Sequence, residues 1–182
     1  MSKEHWQEIL KEMQAAIEVP AHPFRFPVFA TIGLDNVPRL RTVVLRKFNP
    51  DPFRLTFYSD SRSKKITHIN ENQKVSALCY HPELLLQIRF EGMASVELNP
   101  EILNDYKSNL PEPIRIEYRS AHIPGSVITG PEQLEYINNG DYFTAVHIHP
   151  FKIEYLRLNR PKHIRIRFSK NETGWNGEYL AP

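Results

Sequence analysis

A single cysteine, Cys79, stands in the 182 residues of this chain, inside the apolar run VSALCY. No internal disulfide can form and no thiol pair exists for redox work, so a core thiol in a reducing compartment is expected. Neither sign of charge dominates: 23 Lys and Arg face 21 Asp and Glu, a net charge of +2. That balance excludes nucleic-acid binding by bulk charge, and any basic function must come from local clustering. No run of apolar residues approaches the length needed to cross a bilayer, and the charged start MSKEHWQEILKEMQAA lacks the apolar centre of a secretion signal. Repeats and low-complexity tracts are also missing. The expectation is a single cytoplasmic domain over residues 1–182, with no nucleic-acid or membrane partner.

What is there is mostly strand. Ser2 to Ile17 carries Trp6, Ile9, Leu10, Met13 and Ile17 at helical spacing, with Ser2 as a plausible cap, and predicts an N-terminal helix over about 2–18. The three prolines of VPAHPFRFP stop it. VFATIGL, PRLRTVVLRKF and FRLTFYS then read as strands joined by turns at Asp35–Asn36 and at NPDP. KVSALCYH and LLLQIRFEGMASVEL follow a short helix at Lys64. NPEILNDYKSNL, with an Asn cap and a first-turn Pro, opens a helical insertion over about 99–140 that includes the exposed loop SAHIPGSVITGPEQ. YFTAVHIHP, KIEYLRL, HIRIRFS and GWNGEYLAP resume the strands. Many short antiparallel strands with few peripheral helices predict a mainly β (α+β) barrel or sandwich rather than a parallel α/β sheet.

FYSDSRSKK, Phe57 to Lys65, crowds hydroxyls and cations between the end of a strand and the start of a helix. A helix entrance with free N–H groups beside Arg and Lys is a natural phosphate site. Equally, Asp60 or Ser61 could cap the helix while Arg62, Lys64 and Lys65 are merely solvated. Nearby, RLRTVVLRK holds Arg39, Arg41, Arg46 and Lys47 around an apolar centre. Strand parity puts Arg41, Val43 and Leu45 on one face and Thr42, Val44 and Arg46 on the other, so both arginines reach one molecule only across a bend or a strand edge. Gln87 and Arg89 share a face opposite Leu86, Ile88 and Phe90, which reads as the outer side of a barrel. His147 and His149 share a strand face, yet no third ligand is identifiable and no metal is expected.

In this order and spacing, RTVVLR, YSD, SKK and LLLQIRFEG resemble the pyridoxamine 5′-phosphate oxidase family of flavoproteins, and IEYLRL, HIRIRF and the closing WNGEYLAP resemble its last three strands. The resemblance covers nearly everything from about Phe26. It implies an antiparallel Greek-key split β-barrel over about 26–182 that forms a homodimer with FMN at the subunit interface. It places Arg41 and Lys65 on the FMN phosphate, with Ser63 and Lys64 beside them. The stretch Thr42, Val43, Val44, Leu45 and Arg46 lies along the isoalloxazine. Tyr58, Ser59, Gln87 and Arg167 are further cofactor contacts. Arg62 has no basic counterpart in the family but is a candidate phosphate ligand by its place in the turn.

The departures concern substrate. Leu156 stands where the family has a Trp beside the flavin, and the family's Arg-x-His reads His163-Ile164-Arg165. Tyr106 matches a substrate-phosphate Tyr, but Leu110 replaces the accompanying Arg and Ile114 the Ser; SAHIPGSV leaves His122 a weak cofactor candidate. The implied function is an FMN-dependent oxidoreductase acting on a small molecule, with Tyr106, His163 and Arg165 as substrate contacts. The alternatives are a genuine pyridoxine or pyridoxamine phosphate oxidase, a non-catalytic FMN carrier or sensor, and a haem-binding relative.

Overall fold

The computed structural model describes residues 3–138 and 140–182. The cap expected at Ser2 lies outside the described residues. Helix α1 (Lys3–Glu18) buries Ile9, Glu12, Met13 and Ala16 against the barrel, and a 3₁₀ turn at Pro23–Arg25 leads out of the proline-rich link. Arg25 donates to the carbonyls of Ala16 and Ile17 at the end of α1, neutralising orphan acceptors there.

Nine antiparallel strands form one sheet: β1 (Val28–Ile32), β2 (Pro38–Thr42), β3 (Leu45–Pro50), β4 (Phe53–Asp60), β5 (Lys74–His81), β6 (Leu86–Val96), β7 (Phe143–Arg157), β8 (Ile164–Asn171) and β9 (Gly174–Leu180). Their order is β2-β1-β5-β6-β7-β4-β3, with β8 and β9 continuing from β7. The two ends of the main path, β2 and β3, are joined by Val43 and Val44 alone. Two residues of chain span roughly 7 Å, so these edges must curl together, and the sheet closes into a barrel. The Val43 N–H donates to Pro27 O at 3.0 Å and its side chain is buried at the seam.

The stretch expected as one strand, PRLRTVVLRKF, is therefore two, because β2 pairs with β1 while β3 pairs with β4 on the far side of the seam. Conversely, YFTAVHIHP and KIEYLRL merge into the single 15-residue strand β7. Along one edge β7 pairs with β6, its register shifting between Glu91 and Gly92, where Pro150 interrupts donation. Its other edge is divided, Phe143–Ile148 pairing with β4 and Lys152–Arg157 with β8. That division is the split in the barrel.

Phe29, Phe57, Phe90, Ile153 and Phe168 fill the interior, and Trp6, Phe53 and Trp175 close one end. Helix α2 (Lys64–Glu71) covers the opposite mouth with Ile66, His68 and Ile69. The insertion holds α3 (Pro100–Ser108), α4 (Glu112–Ile116) and short 3₁₀ turns. It packs Tyr106, Leu103 and Leu110 on Phe143 and Ala145. Asn99 caps α3 by accepting the Glu101 N–H at 2.9 Å, as its sequence predicts.

Candidate functional site

The turn between β4 and α2 is built by its own side chains. Asp60 accepts the Arg62 backbone N–H at 2.8 Å and binds its guanidinium through Nε at 3.1 Å and Nη2 at 2.6 Å. Arg62 Nη2 also donates to Ser120 O and His122 O, and the guanidinium lies 3.2 Å from the centre of the Tyr142 ring. Arg62 thus clamps the insertion loop to the barrel rim, and its expected role as a phosphate ligand must compete with that clamp. The helix cap is Ser63, not Asp60 or Ser61. The Ser63 side chain makes no capping bond, because its Oγ accepts from Lys65 Nζ at 2.7 Å; Lys65 donates also to Ser59 Oγ at 3.0 Å.

Arg41 ends β2 on the inward row, sharing its register with buried Phe29 and Ala77. It donates to Thr31 Oγ1 at 2.8 Å, and Thr31 in turn bonds His68 Nδ1 at 3.0 Å. Burial pulls the half-buried Lys65 ammonium below the usual lysine range, and the nearby Arg41 charge pushes it the same way. Arg41 is lowered by burial and then by Arg39. No carboxylate forms an ion pair with Arg41 or Lys65 among the described residues. Two half-buried cations and two hydroxyls around the first turn of α2 are a place for an anion that the protein does not itself supply. This geometry fits the phosphate of a mononucleotide; exposed Lys64 flanks it.

Next to this turn, Leu45 pairs with Phe57 but Lys47 pairs with Thr56, which leaves Arg46 as an extra residue in β3. The bulge answers the parity problem. Arg46 lies over the Tyr58 ring at 6.0 Å and Lys47 Nζ over the Tyr106 ring at 4.2 Å, so consecutive cations serve one aromatic cluster. Tyr58 and Tyr106 stack at 5.6 Å, with Phe143 edge-on to Tyr58 at 4.9 Å. Burial raises the Tyr58 phenol well above its usual range, with Tyr106 next in effect. Lys47 was not singled out by sequence; the signal lay in its place one residue past Arg46, but only the bulge gives that place meaning.

The remaining expected residues lie elsewhere. Gln87 and Arg89 do face outward, on a row that runs Thr42, Val28, Leu78, Arg89, Glu154, Arg167, Glu178 and on its neighbour Tyr80, Gln87, Leu156, Arg165, Leu180. The β1–β5 part of this face is apolar, forming a groove of about 300 Å³ lined by Val28, Ala30, Leu40, Leu78 and Gln87. The β6–β9 part is ionic: Arg165 and Arg89 both bind buried Glu154 at 3.1 Å, and Arg167 binds Glu178 at 2.7 Å. His163 is exposed, Leu156 lies between Gln87 and Arg165, and His122 donates or accepts at Gln133 O within the loop. Thr42 and Arg167 share a row five strands apart, roughly 24 Å at about 4.8 Å per strand. Within one chain, Arg165 and Arg167 are not brought to the Arg41–Lys65 turn.

His147 is held by Thr56 Oγ1 at 2.9 Å and Glu97 at 3.1 Å, a buried hydrogen-bonded position with His149 as neighbour and no third ligand.

The family model for the pyridoxamine 5′-phosphate oxidase FMN-binding domain matches residues 3–97. The pyridoxine/pyridoxamine 5′-phosphate oxidase of Pelagibacter ubique is 27% identical over 170 residues, covering 84% of this chain and 79% of its own. That of Haemophilus influenzae is 28% identical over 167 residues, covering 84% and 77%. Among solved structures, an FMN-binding, pyridoxamine 5′-phosphate oxidase-related protein from Nostoc punctiforme superposes with a TM-score of 0.79 over 97% of this chain and 96% of its own, at 20% identity. PhzG from Burkholderia lata, in complex with tetrahydrophenazine-1-carboxylic acid, gives 0.80 over 96% and 91%, at 19% identity. These folds are the split barrel derived above. The chain belongs to the pyridoxamine 5′-phosphate oxidase family of FMN-binding proteins, with FMN as its cofactor.

Proposed function

We propose that the protein is an FMN-dependent oxidoreductase that works as a homodimer on a small organic molecule. The observation that carries this reading is the Arg41–Lys65 pair, two half-buried cations without a carboxylate, set beside Ser59 and Ser63 at the mouth of the barrel. When bound, FMN supplies hydride chemistry at its ring. The chain's part is to anchor the phosphate at Arg41, Lys64 and Lys65, to lay the Thr42–Arg46 seam along the ring, and to place Tyr58 and Arg46 at its edge. Backbone N–H groups and a guanidinium there stabilise negative charge on the reduced ring.

Dimerisation is supported by the separation of the site's two halves. A second copy that sets its outer face against the mouth brings Gln87, Arg165 and Arg167 to the turn, and covers exposed Leu40 and Tyr80 with the same step. Arg89, Arg165 and Arg167 keep enclosed Nε groups without hydrogen-bond partners, donors that a neighbouring chain or ligand would satisfy. The buried lone thiol of Cys79 suits the reducing cytoplasm; among the described residues no helix is long and apolar enough to cross a membrane.

A second reading, true oxidation of pyridoxamine or pyridoxine phosphate, is favoured by the activity for which the relatives are named. Against it, Leu110 packs into the aromatic cluster where an Arg would be needed. The test is an absorption spectrum of the protein loaded with FMN, paired titrations with FMN and riboflavin, and anaerobic reduction by candidate donors including pyridoxamine phosphate. FMN bound far more tightly than riboflavin, followed by bleaching with a donor, supports an oxidoreductase. Tight FMN that no donor reduces points to a carrier, and equal affinity for the two flavins removes the phosphate site.

A further inference from the structure

We propose that Arg46 and Lys47, standing together over the tyrosine cluster, select a substrate that carries a carboxylate on a flat ring rather than a phosphate ester. The proposal rests on the flavin reading above and names the substrate class of that site. In a regular strand these two side chains would point to opposite faces. The bulge instead sets Arg46 over Tyr58 and Lys47 over Tyr106, whose rings stack on each other. Neither cation forms an ion pair with a carboxylate among the described residues, whereas Arg89, Arg165 and Arg167 each do. Arg46 is steadied by the Tyr118 phenol, which its charge and hydrogen bond pull down against the larger raising effect of burial.

The chemistry of the surroundings decides which anion suits. A phosphate ester carries close to two charges and three acceptor oxygens near neutral pH. It needs donors on several sides, and here one side is Leu110, packed into the tyrosine cluster. Facing a dianion with that side chain leaves charge desolvated and unpaired. A carboxylate carries one charge and two oxygens, which a guanidinium takes in a fork while an ammonium neutralises it from the side. The rings of Tyr58, Tyr106 and Phe143 offer the stacked and edge-on contacts that favour a flat partner. Lys47 is then a specificity residue, separate from the groups that hold the flavin phosphate.

The experiment titrates benzoate, nicotinate, inorganic phosphate and pyridoxamine 5′-phosphate into the FMN-loaded protein and into the flavin-free protein, read by calorimetry and by the shift of the flavin bands. The expected result is saturable binding of both carboxylates, with the phosphates weaker by about tenfold or more. Lys47→Met should weaken the carboxylates by about tenfold, the worth of one charge-assisted contact, and leave FMN affinity as it was. Pyridoxamine phosphate binding more tightly than both carboxylates, or carboxylate affinity untouched by Lys47→Met, overturns the proposal. Failure of FMN itself to bind would remove the flavin reading instead, and the flavin-free titration then still decides whether Lys47 selects carboxylates.

Discussion

The β4–α2 turn and the β8 strand both gather cations, and they treat them in opposite ways. On β8 and its neighbours every arginine has a carboxylate: Arg165 and Arg89 share Glu154, and Arg167 takes Glu178. At the turn, Arg62 alone is matched, by Asp60, while Arg41 and Lys65 are gathered around hydroxyls with no acid of their own. Paired cations fix the sheet; unpaired ones, half-buried and pressed below their usual pKa, hold free energy that a ligand phosphate releases. Counting basic residues would rank the two regions equal, and only the partners separate them.

The sharpest way to break this contrast is at the turn. Arg41→Ala or Lys65→Ala removes a charge-assisted contact worth about 1.5–3 kcal/mol, so each should weaken FMN by roughly 10- to 100-fold in a fluorescence titration. Riboflavin, lacking the phosphate, should bind the variants as it binds the parent. Thermal stability of the flavin-free variants should hold or rise, because removing one of two unpaired cations relieves their repulsion. Unchanged FMN affinity in both variants would make these residues ordinary solvated cations.

At the other region the same kind of deletion should strike the fold. Glu154 is buried between Arg89 and Arg165, and Glu154→Ala leaves both without their shared acceptor. The expected loss is about 1–3 kcal/mol, visible as a lower melting temperature of the flavin-free protein. Glu154→Gln, which keeps the shape and part of the hydrogen bonding, should recover part of it. A melting temperature unmoved by Glu154→Ala would mean that the ladder on this face contributes no more than surface pairs do.

Histidines give a third handle. His68 beneath the phosphate turn and His147 under the insertion are both lowered from the usual histidine value, chiefly by burial; Arg41 also lowers His68, while Glu97 partly opposes the effect at His147. A group whose folded pKa is depressed in this way is protonated more readily when unfolded. Stability should therefore be full above about 6.5, the unfolded value, and fall as pH drops below it towards the folded values. Melting curves between pH 5 and 8 should show that slope, and His147→Gln should flatten it. A melting temperature flat across this range would mean that neither histidine resists protonation.

Much of this was legible in the chain. Alternation marked the strands, and the order of RTVVLR, YSD, SKK and the Gln87 strand marked the cofactor and the barrel. What could not be read was how neighbours divide the chain. PRLRTVVLRKF has unbroken strand character, and it becomes two strands because Thr42 and Leu45 find partners on opposite sides of the barrel seam. The two strands expected around Pro150 become one, since β6 tolerates the proline at a register shift. Arg62 looked like any other cation of the turn until Asp60 and the carbonyls of Ser120 and His122 were seen around it. Partner identity is a long-range property, and Arg62–Ser120 and Arg89–Glu154 are pairs that no local window contains.

The smallest expected effect is the most discriminating, because Arg167 belongs to both sides of the comparison. As a member of the β8 ladder it is a half-exposed cation whose pair with Glu178 sits in solvent. Arg167→Gln should then change stability by no more than about 0.5 kcal/mol, which is the usual worth of such a pair. As a cofactor residue it acts from the outer face of one subunit on the flavin held at the mouth of the other, and Arg167→Gln should weaken FMN by a few-fold only where the protein is dimeric. Titrations at protein concentrations above and below the dissociation range, with sedimentation to report the oligomer, separate the two roles. Loss of FMN affinity confined to the dimer places Arg167 on the partner's flavin, whereas affinity unchanged at every concentration leaves it as a strand-pairing charge and confines the phosphate site to the turn.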